Sequence, residues 1–237
     1  MPTGKEIIER AQRLLVDEDN VRWTLPEIVD WINEGVLAIV LAAPQANAAT
    51  RKFPLAEGTM QSIESAEGFA PLRLLDVVRN VSDASAAARP GRAVTIVSRS
   101  QLDAIEPNWH DPRHVRFRKE ARHYTFDEQN PLEFYVYPGN DGSGFVDALF
   151  SFAPEKIAPN PADADPDKID SYTGNVDVQE PYAVPLVDYV CYRALSKDDL
   201  QGAPAKAMGY YQSFANAVGI KLQSDTGSNP NSRRAGT

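Results

Sequence analysis

Hydrophobic positions recur at helical spacing near both ends of the chain and alternate with a period of two in its middle. Ile7, Ile8, Ala11, Leu14 and Leu15 follow Thr3-Gly4-Lys5-Glu6, a segment of capping-box form, and predict a first helix. Thr24-Leu25-Pro26-Glu27 repeats the device. After it, Ile28, Trp31, Ile32, Gly35, Val36, Ile39 and Val40 trace one face of a second helix, stopped by Pro44. The short connection around Val21-Arg22-Trp23 predicts that these two helices pair antiparallel. Toward the other end, Leu186, Val187, Val190, Cys191 and Ala194 share one side of a helix within 181–197. Pro185 sits either close to its start or at a kink. Pro204 opens a last helix carrying Ala207, Met208, Tyr211, Phe214, Ala215, Val218 and Leu222.

Two helices from each end, 1–47 and 181–222, predict a four-helix bundle with a domain inserted at 48–153. That insert reads as β, with candidate strands at 50–55, 60–63, 72–81, 93–97 and 145–152 and one short helix at Ser100-Gln101-Leu102-Asp103. Its plainest signal is 122–139. There His123-Tyr124-Thr125-Phe126 and a second aromatic run, 132–137, flank the turn formers Asp127-Glu128-Gln129-Asn130-Pro131, which predicts a hairpin. Tyr124, Phe126, Phe134, Tyr135 and Tyr137 alternate across its two faces, one free to be buried and one to present rings. The predicted class is therefore α+β, a four-helix bundle with a small inserted antiparallel β domain. Two segments read as unpacked. One is an extended acidic connection at 154–180, with Asp163, Asp165, Asp167, Asp170 and Asp177. The other is a flexible polar tail at 223–237 with Arg233 and Arg234.

Composition narrows the function. At 237 residues, 43% hydrophobic and 24% charged, the chain can bury a sizeable core. A net charge of −9 argues against general affinity for nucleic acid or anionic membrane. The single cysteine, Cys191, excludes an internal disulfide. The charged N-terminus lacks the apolar core of a signal peptide, and the longest apolar stretch, 36–44, is too short to span a bilayer. Synthesis in a cytosol is the expectation.

Candidate chemistry is sparse. His110 and His114 are four apart, a spacing that suits zinc on a helix, but Pro112 lies between them and no third ligand follows at a useful distance. No phosphate-binding glycine loop, nucleophile elbow or acid/base carboxylate pair is evident. Neither enzyme activity nor a cofactor is expected. The run 113–123 is the one concentrated basic stretch, with Arg113, Arg116, Arg118, Lys119 and Arg122. It reads as a solvated strand or loop, or as a contact for an acidic partner. Trp109, in a Pro-flanked loop, is either a core plug or an interface anchor, and Tyr135 stands on the hairpin.

Several pieces together carry a resemblance: WTLPEIVDWINEG, LRLLDVVRN, HYTFDEQNPLEFYVYPG, VPLVDYVCYRALSKD and YYQSFANAVG, in this order between residues 5 and 222. Together they resemble the head-to-tail adaptors of short-tailed phages, of the tail tubular protein A type. The resemblance implies a structural virion protein of the neck: a ring, usually twelve-fold, between portal and tail nozzle. Genomic DNA would pass through the lumen without sequence-specific binding. It carries no catalytic residues. Arg233 and Arg234 are expected to meet carboxylates of the portal, and Trp109, Arg113, Arg116, Arg118 and Tyr135 to contact neighbours or nozzle. The alternatives are another head-completion or tail ring protein, a metal-dependent hydrolase using His110 and His114, or a carbohydrate-binding module using the hairpin's rings.

Overall fold

The computed structural model describes residues 1–161, 165–197 and 204–228, the side chains of the last helix only as far as 219. The chain divides into two compact units: Met1–Asn47 together with the chain from Ala153 onward, and Ala48–Phe152.

The first unit is helical. Helix α1 (Gly4–Leu15) begins with the expected capping box, Glu6 N–H donating to Thr3 Oγ1 at 3.2 Å and Thr3 N–H to Glu6 Oε2 at 2.9 Å. Helix α2 (Leu25–Ala42) follows after a loop gathered on Asp17, whose carboxylate accepts the N–H groups of Val21, Arg22 and Trp23. Helix α4 (Ala183–Lys197) starts at Ala183, so Pro185 lies in the first turn, where a missing N–H costs nothing, and no kink is needed. Helix α5 (Pro204–Ser228) runs past residue 222, so the predicted flexible tail begins as helix.

Helix α4 packs on α1, α2 and α5, and α1 lies more against α4 than against α2, its predicted partner. The apolar faces named from the sequence meet here: Ile7, Ile8, Ile28, Ile32, Ile39, Leu186, Val190 and Ala194 are all buried. At Gly35 a Cβ would come within 2.7 Å of Leu186 and 2.8 Å of Tyr189, so glycine sets the approach of α2 to α4.

The described part of 154–180 is packed, contrary to expectation. Tyr172, Val176 and Val178 are buried, and two 3-10 turns, Ile169–Ser171 and Glu180–Tyr182, tighten the path. The reason lies at the start of α1, whose first four N–H groups have no partner within the helix. Gly4 donates to Gly174 O and Lys5 to Tyr172 O, while Glu6 and Ile7 donate to Thr3. Asn33 adds a reciprocal pair with the backbone of Ile157. The connection is a strap that caps a helix.

The second unit is β. Strands β1 (Ala48–Pro54), β2 (Gly58–Ser62), β3 (Pro71–Val81), β4 (Pro90–Ala93), β5 (Thr95–Ile96), β6 (His123–Phe126), β7 (Glu133–Asn140) and β8 (Phe145–Phe152) form two four-stranded sheets. One is antiparallel in the order β1-β8-β3-β4. The other, β2-β7-β6-β5, pairs β5 with β6 in parallel, so the expected all-antiparallel domain is mixed at one edge. The single predicted strand at 93–97 is two short strands in different sheets, with α3 (Arg99–Ile105) after them. Both sheets feed one core, with Leu74, Val77, Val146 and Phe150 from the first and Tyr124, Phe134 and Val136 from the second.

The predicted hairpin is β6–β7, in the register Tyr124↔Val136 and Phe126↔Phe134. Its alternation is the expected one, Phe134 and Val136 being buried while Tyr135 and Tyr137 are partly exposed. Strand β7 does not stop at Pro138-Gly139 but continues to Asn140, because residues 118–122 pair alongside it. Arg118 N–H donates to Gly139 O and Arg122 N–H to Tyr137 O, both at 2.8 Å.

The end of that pairing is held by Asn140, which is fully buried. Its Nδ2 donates to the carbonyls of Arg118 and Lys119, and its Oδ1 accepts from Gly142 and Gly144. At Gly144 a Cβ would fall 2.2 Å from Asn140 Nδ2 and 2.3 Å from Lys119 O, so no larger residue fits without breaking the cluster. Asn140→Ala leaves several buried backbone groups unpaired, at about 1–3 kcal/mol each before relaxation. We expect both Asn140→Ala and Gly144→Ala to lower unfolding free energy by at least about 2 kcal/mol in denaturant melts. A loss below about 0.5 kcal/mol would mean the cluster is not structural.

Candidate partner-binding surfaces

The sequence candidates fall into two places on the β unit. Around α3, Trp109 is fully buried, its Nε1 donating to Asp103 Oδ1 at 2.9 Å and its ring lying 3.7 Å from that of His110. It is the core plug of the two readings, so its expected role as a contact is corrected: the ring is spent on fixing the loop after α3. Tyr135 is boxed by Trp109, His110 and the Arg99 guanidinium, 5.6 Å over its ring. It offers an edge, not a free face. His110 Nδ1 lies 2.7 Å from Thr59 Oγ1, whereas His114 Nδ1 approaches Asp111 Oδ2 at 3.3 Å. The two histidines thus serve different partners. Among the described residues, no group of three His, Cys, Asp or Glu side chains could hold a metal.

The basic stretch is the second place. Arg113 is exposed, but its Nε and Nη2 fork onto Asp111, so most of its charge is answered locally. Hydrogen bonds from Arg113 hold the Asp111 carboxyl well below the usual carboxylate range. Arg116 and Arg118 are exposed and make no ion pair with described residues. Phe117, between them, points inward: a Cβ on Gly139 would meet its ring at 2.5 Å. The half-buried Phe117 and the exposed arginines alternate as they do along a strand. Arg233 and Arg234 lie outside the described residues.

Two cations that sequence reading passed over join this stretch. Asn80, buried in β3, donates from Nδ2 to the carbonyls of Arg92 and Ala121 and accepts Ala121 N–H at 2.9 Å. Strand β4 and the 118–122 segment therefore flank one side chain. Lys119 Nζ donates to Ser82 O at the β3–β4 turn, where Ser82 N–H donates to Arg89 O. Arg89, Arg92, Lys119 and Arg122 thus gather on one edge. In the sequence Arg89-Pro90-Gly91-Arg92, a basic residue on each side of a Pro-Gly pair was the available signal.

Elsewhere, Cys191 is buried among the helices and its thiol is pushed up to about 12, chiefly by burial. A shallow groove of about 370 Å³ lies between α1 and α4, lined by Arg10, Arg13, Leu14, Val184, Val187 and Asp188. Among the described residues, no helix is long and apolar enough to cross a membrane.

A family model described as SU10 adaptor protein matches residues 2–234. The chain belongs to the SU10 adaptor protein family. This agrees with the resemblance to phage head-to-tail adaptors drawn from the sequence, and it covers the strap and most of the tail, which the resemblance did not. No curated protein matches the chain.

Two predictions follow from the side chains. Cys191 in native protein should resist a thiol reagent at pH 8 and react once denatured; equal rates in both states would contradict its burial. His110 and His123 both titrate below the ordinary value of 6.5, burial being the largest cause, followed by Arg99 for His110 and by Arg92 and Arg122 for His123. Between their native values and about 6.5 the unfolded chain binds protons that the native chain refuses, so stability falls as pH drops through that window. A lower Tm at pH 5.5 than at pH 7.5, reduced in His110→Gln/His123→Gln, is the expected result. An unchanged Tm would show these rings are not held neutral.

Proposed function

We infer that the protein is a ring-forming head-to-tail adaptor of the short-tailed phage, tail tubular protein A-like kind. It sits in the virion neck between portal and tail nozzle, and DNA passes through its lumen during ejection. The observation that carries this reading is the family match across nearly the whole chain. Three physical features support it. Two compact units give each copy different faces, as head-to-tail contacts around a closed ring require. A net charge of −9 suits a conduit that must not hold phosphate. Arginines that are exposed and without an ion pair among the described residues suit protein contact, and Arg116 and Arg118, the latter on a backbone bonded to Gly139, are the contacts we retain from the sequence candidates. A twelve-fold ring is the stoichiometry this reading expects.

The test is native mass of the protein alone and after mixing with the portal encoded in the same genome. A gain of about one copy per portal subunit is expected. No gain would remove the direct portal contact, and loading only after a nozzle component is present would assign the protein to another ring of the tail. Because α5 is helical through Ser228, removal of 229–237 isolates the contribution of Arg233 and Arg234 better than a cut at 223. Portal loading should be lost in the shortened protein; undiminished loading would place portal recognition elsewhere.

A further inference from the structure

The edge formed by Arg89, Arg92, Lys119 and Arg122 is a positive patch on a protein of net charge −9, and none of the four pairs with a carboxylate among the described residues. It is a built surface and not a loose run of charges. Asn80 fixes the backbones of Arg92 and Ala121, Asn140 fixes those of Arg118 and Lys119, and Thr95 N–H donates to Arg122 O. Arg92 and Arg122 converge closely enough that both depress the titration of His123. The nearby carboxylates answer the patch only in part: Asp83 is held by Ser82 and Ser85, Glu120 stands exposed without an ion pair among the described residues, and Asp141, bonded to Ser143, feels Lys119 alone of the four cations. With the backbone under these four cations already ordered, meeting an anionic surface costs only the ordering of their side chains.

The same chain carries the complementary surface. Most of its negative charge lies in the helical unit, and on the ordered backbone of the strap Asp167 has no ion pair among the described residues, whereas Asp165, Asp170 and Glu180 share their charge with Lys168, Lys5 and the Met1 amine. Asp165 and Asp170 titrate below the usual range, drawn down by Lys168 and Lys5, so they stay ionised well below neutrality. One unit thus offers a cationic edge and the other an anionic one. Each copy presents two different, mutually attractive faces, which is the requirement of a heterologous contact.

We propose that the Arg89–Arg92–Lys119–Arg122 patch seats a second copy of this chain through the acidic strap of that copy's helical unit. The proposal rests on the ring reading above and gives that ring its two faces. It is tested with Arg92→Lys/Arg122→Lys protein, which keeps the charge and supplies amines, mixed as unlabelled and nitrogen-15 chains. Zero-length carbodiimide coupling is applied to the concentrated free protein and to the portal-loaded assembly. The expected products join patch lysines to residues 155–180 of the other isotopic chain. The yield through Lys119, whose amine is present in every variant, should fall at least tenfold in Arg92→Glu/Arg122→Glu, and all products should fall at high salt, where exposed charges are screened. Melting curves of both variants establish that they fold. Products joining residues of one chain only, or none between chains in either sample, would overturn the proposal. So would duplex DNA retained by the wild type and released by Arg92→Glu/Arg122→Glu, which would assign the patch to phosphate. Failure to load on the portal while free copies still couple through the patch would sink the adaptor reading but not this one.

Discussion

A buried carboxamide that answers backbone groups is the device on which the β unit depends. The segment 116–122 follows no regular ladder on both sides, yet it is part of the fold. An irregular chain against a core would leave N–H and C=O groups unpaired, each at a cost of about 1–3 kcal/mol. Asn140 and Asn80 each meet two of these groups, and Asn140 also accepts from Gly142 and Gly144 while Asn80 also donates to Arg92 O, each amide using both its donor and its acceptor ends. Gln61 does the same for the turn between β1 and β2, bonding Ala56 at both N–H and carbonyl and Gly58 at its carbonyl. All three side chains are buried, so no water competes for these bonds. The consequence for function is direct: the cationic residues of the segment sit on a backbone that is already placed.

The helical unit solves a related problem at the start of α1. Its free N–H groups are met half by its own Thr3 and half by carbonyls of a strap more than 160 residues along the chain. That closure ties the beginning of the chain to the segment that leads into α4, and it explains how a proline- and aspartate-rich stretch can be ordered. Its buried Tyr172, Val176 and Val178 supply the apolar contact that composition alone obscured. In both units, the candidate contact surfaces stand on fixed backbone.

Much of this was legible in the sequence where a local rule decided the outcome. The capping box at Thr3 and Glu6, the apolar faces of α1, α2 and α4, and the β6–β7 hairpin each follow from residues within a few positions of one another, whereas on α5 only Ala207, Phe214 and Val218 of the predicted face are buried and Met208, Tyr211 and Ala215 are exposed. What could not be read depends on distant partners. The strap is ordered by its contact with α1, β5 pairs in parallel with β6 because residues 118–122 lie alongside β7, and α1 prefers α4 to its sequence neighbour. The candidate surface was half legible. Arg116, Arg118 and Arg122 stood out as a run, but Arg89 and Arg92 join Arg122 only through Asn80, and nothing local marks an asparagine in β3 as a bracket. Trp109 and Tyr135 drew notice as aromatics, and burial and neighbouring rings then account for them.

The central claim is that residues 116–122 form a preorganised surface and not a loop that orders on contact. Amide hydrogen exchange of the free protein tests it most directly. The account predicts that the N–H groups of Arg118, Ala121 and Arg122, bonded to Gly139 O, Asn80 Oδ1 and Tyr137 O, exchange as slowly as those of β6 and β7. Exchange at the rate of an exposed loop, with protection appearing only in the portal-loaded assembly, would contradict it.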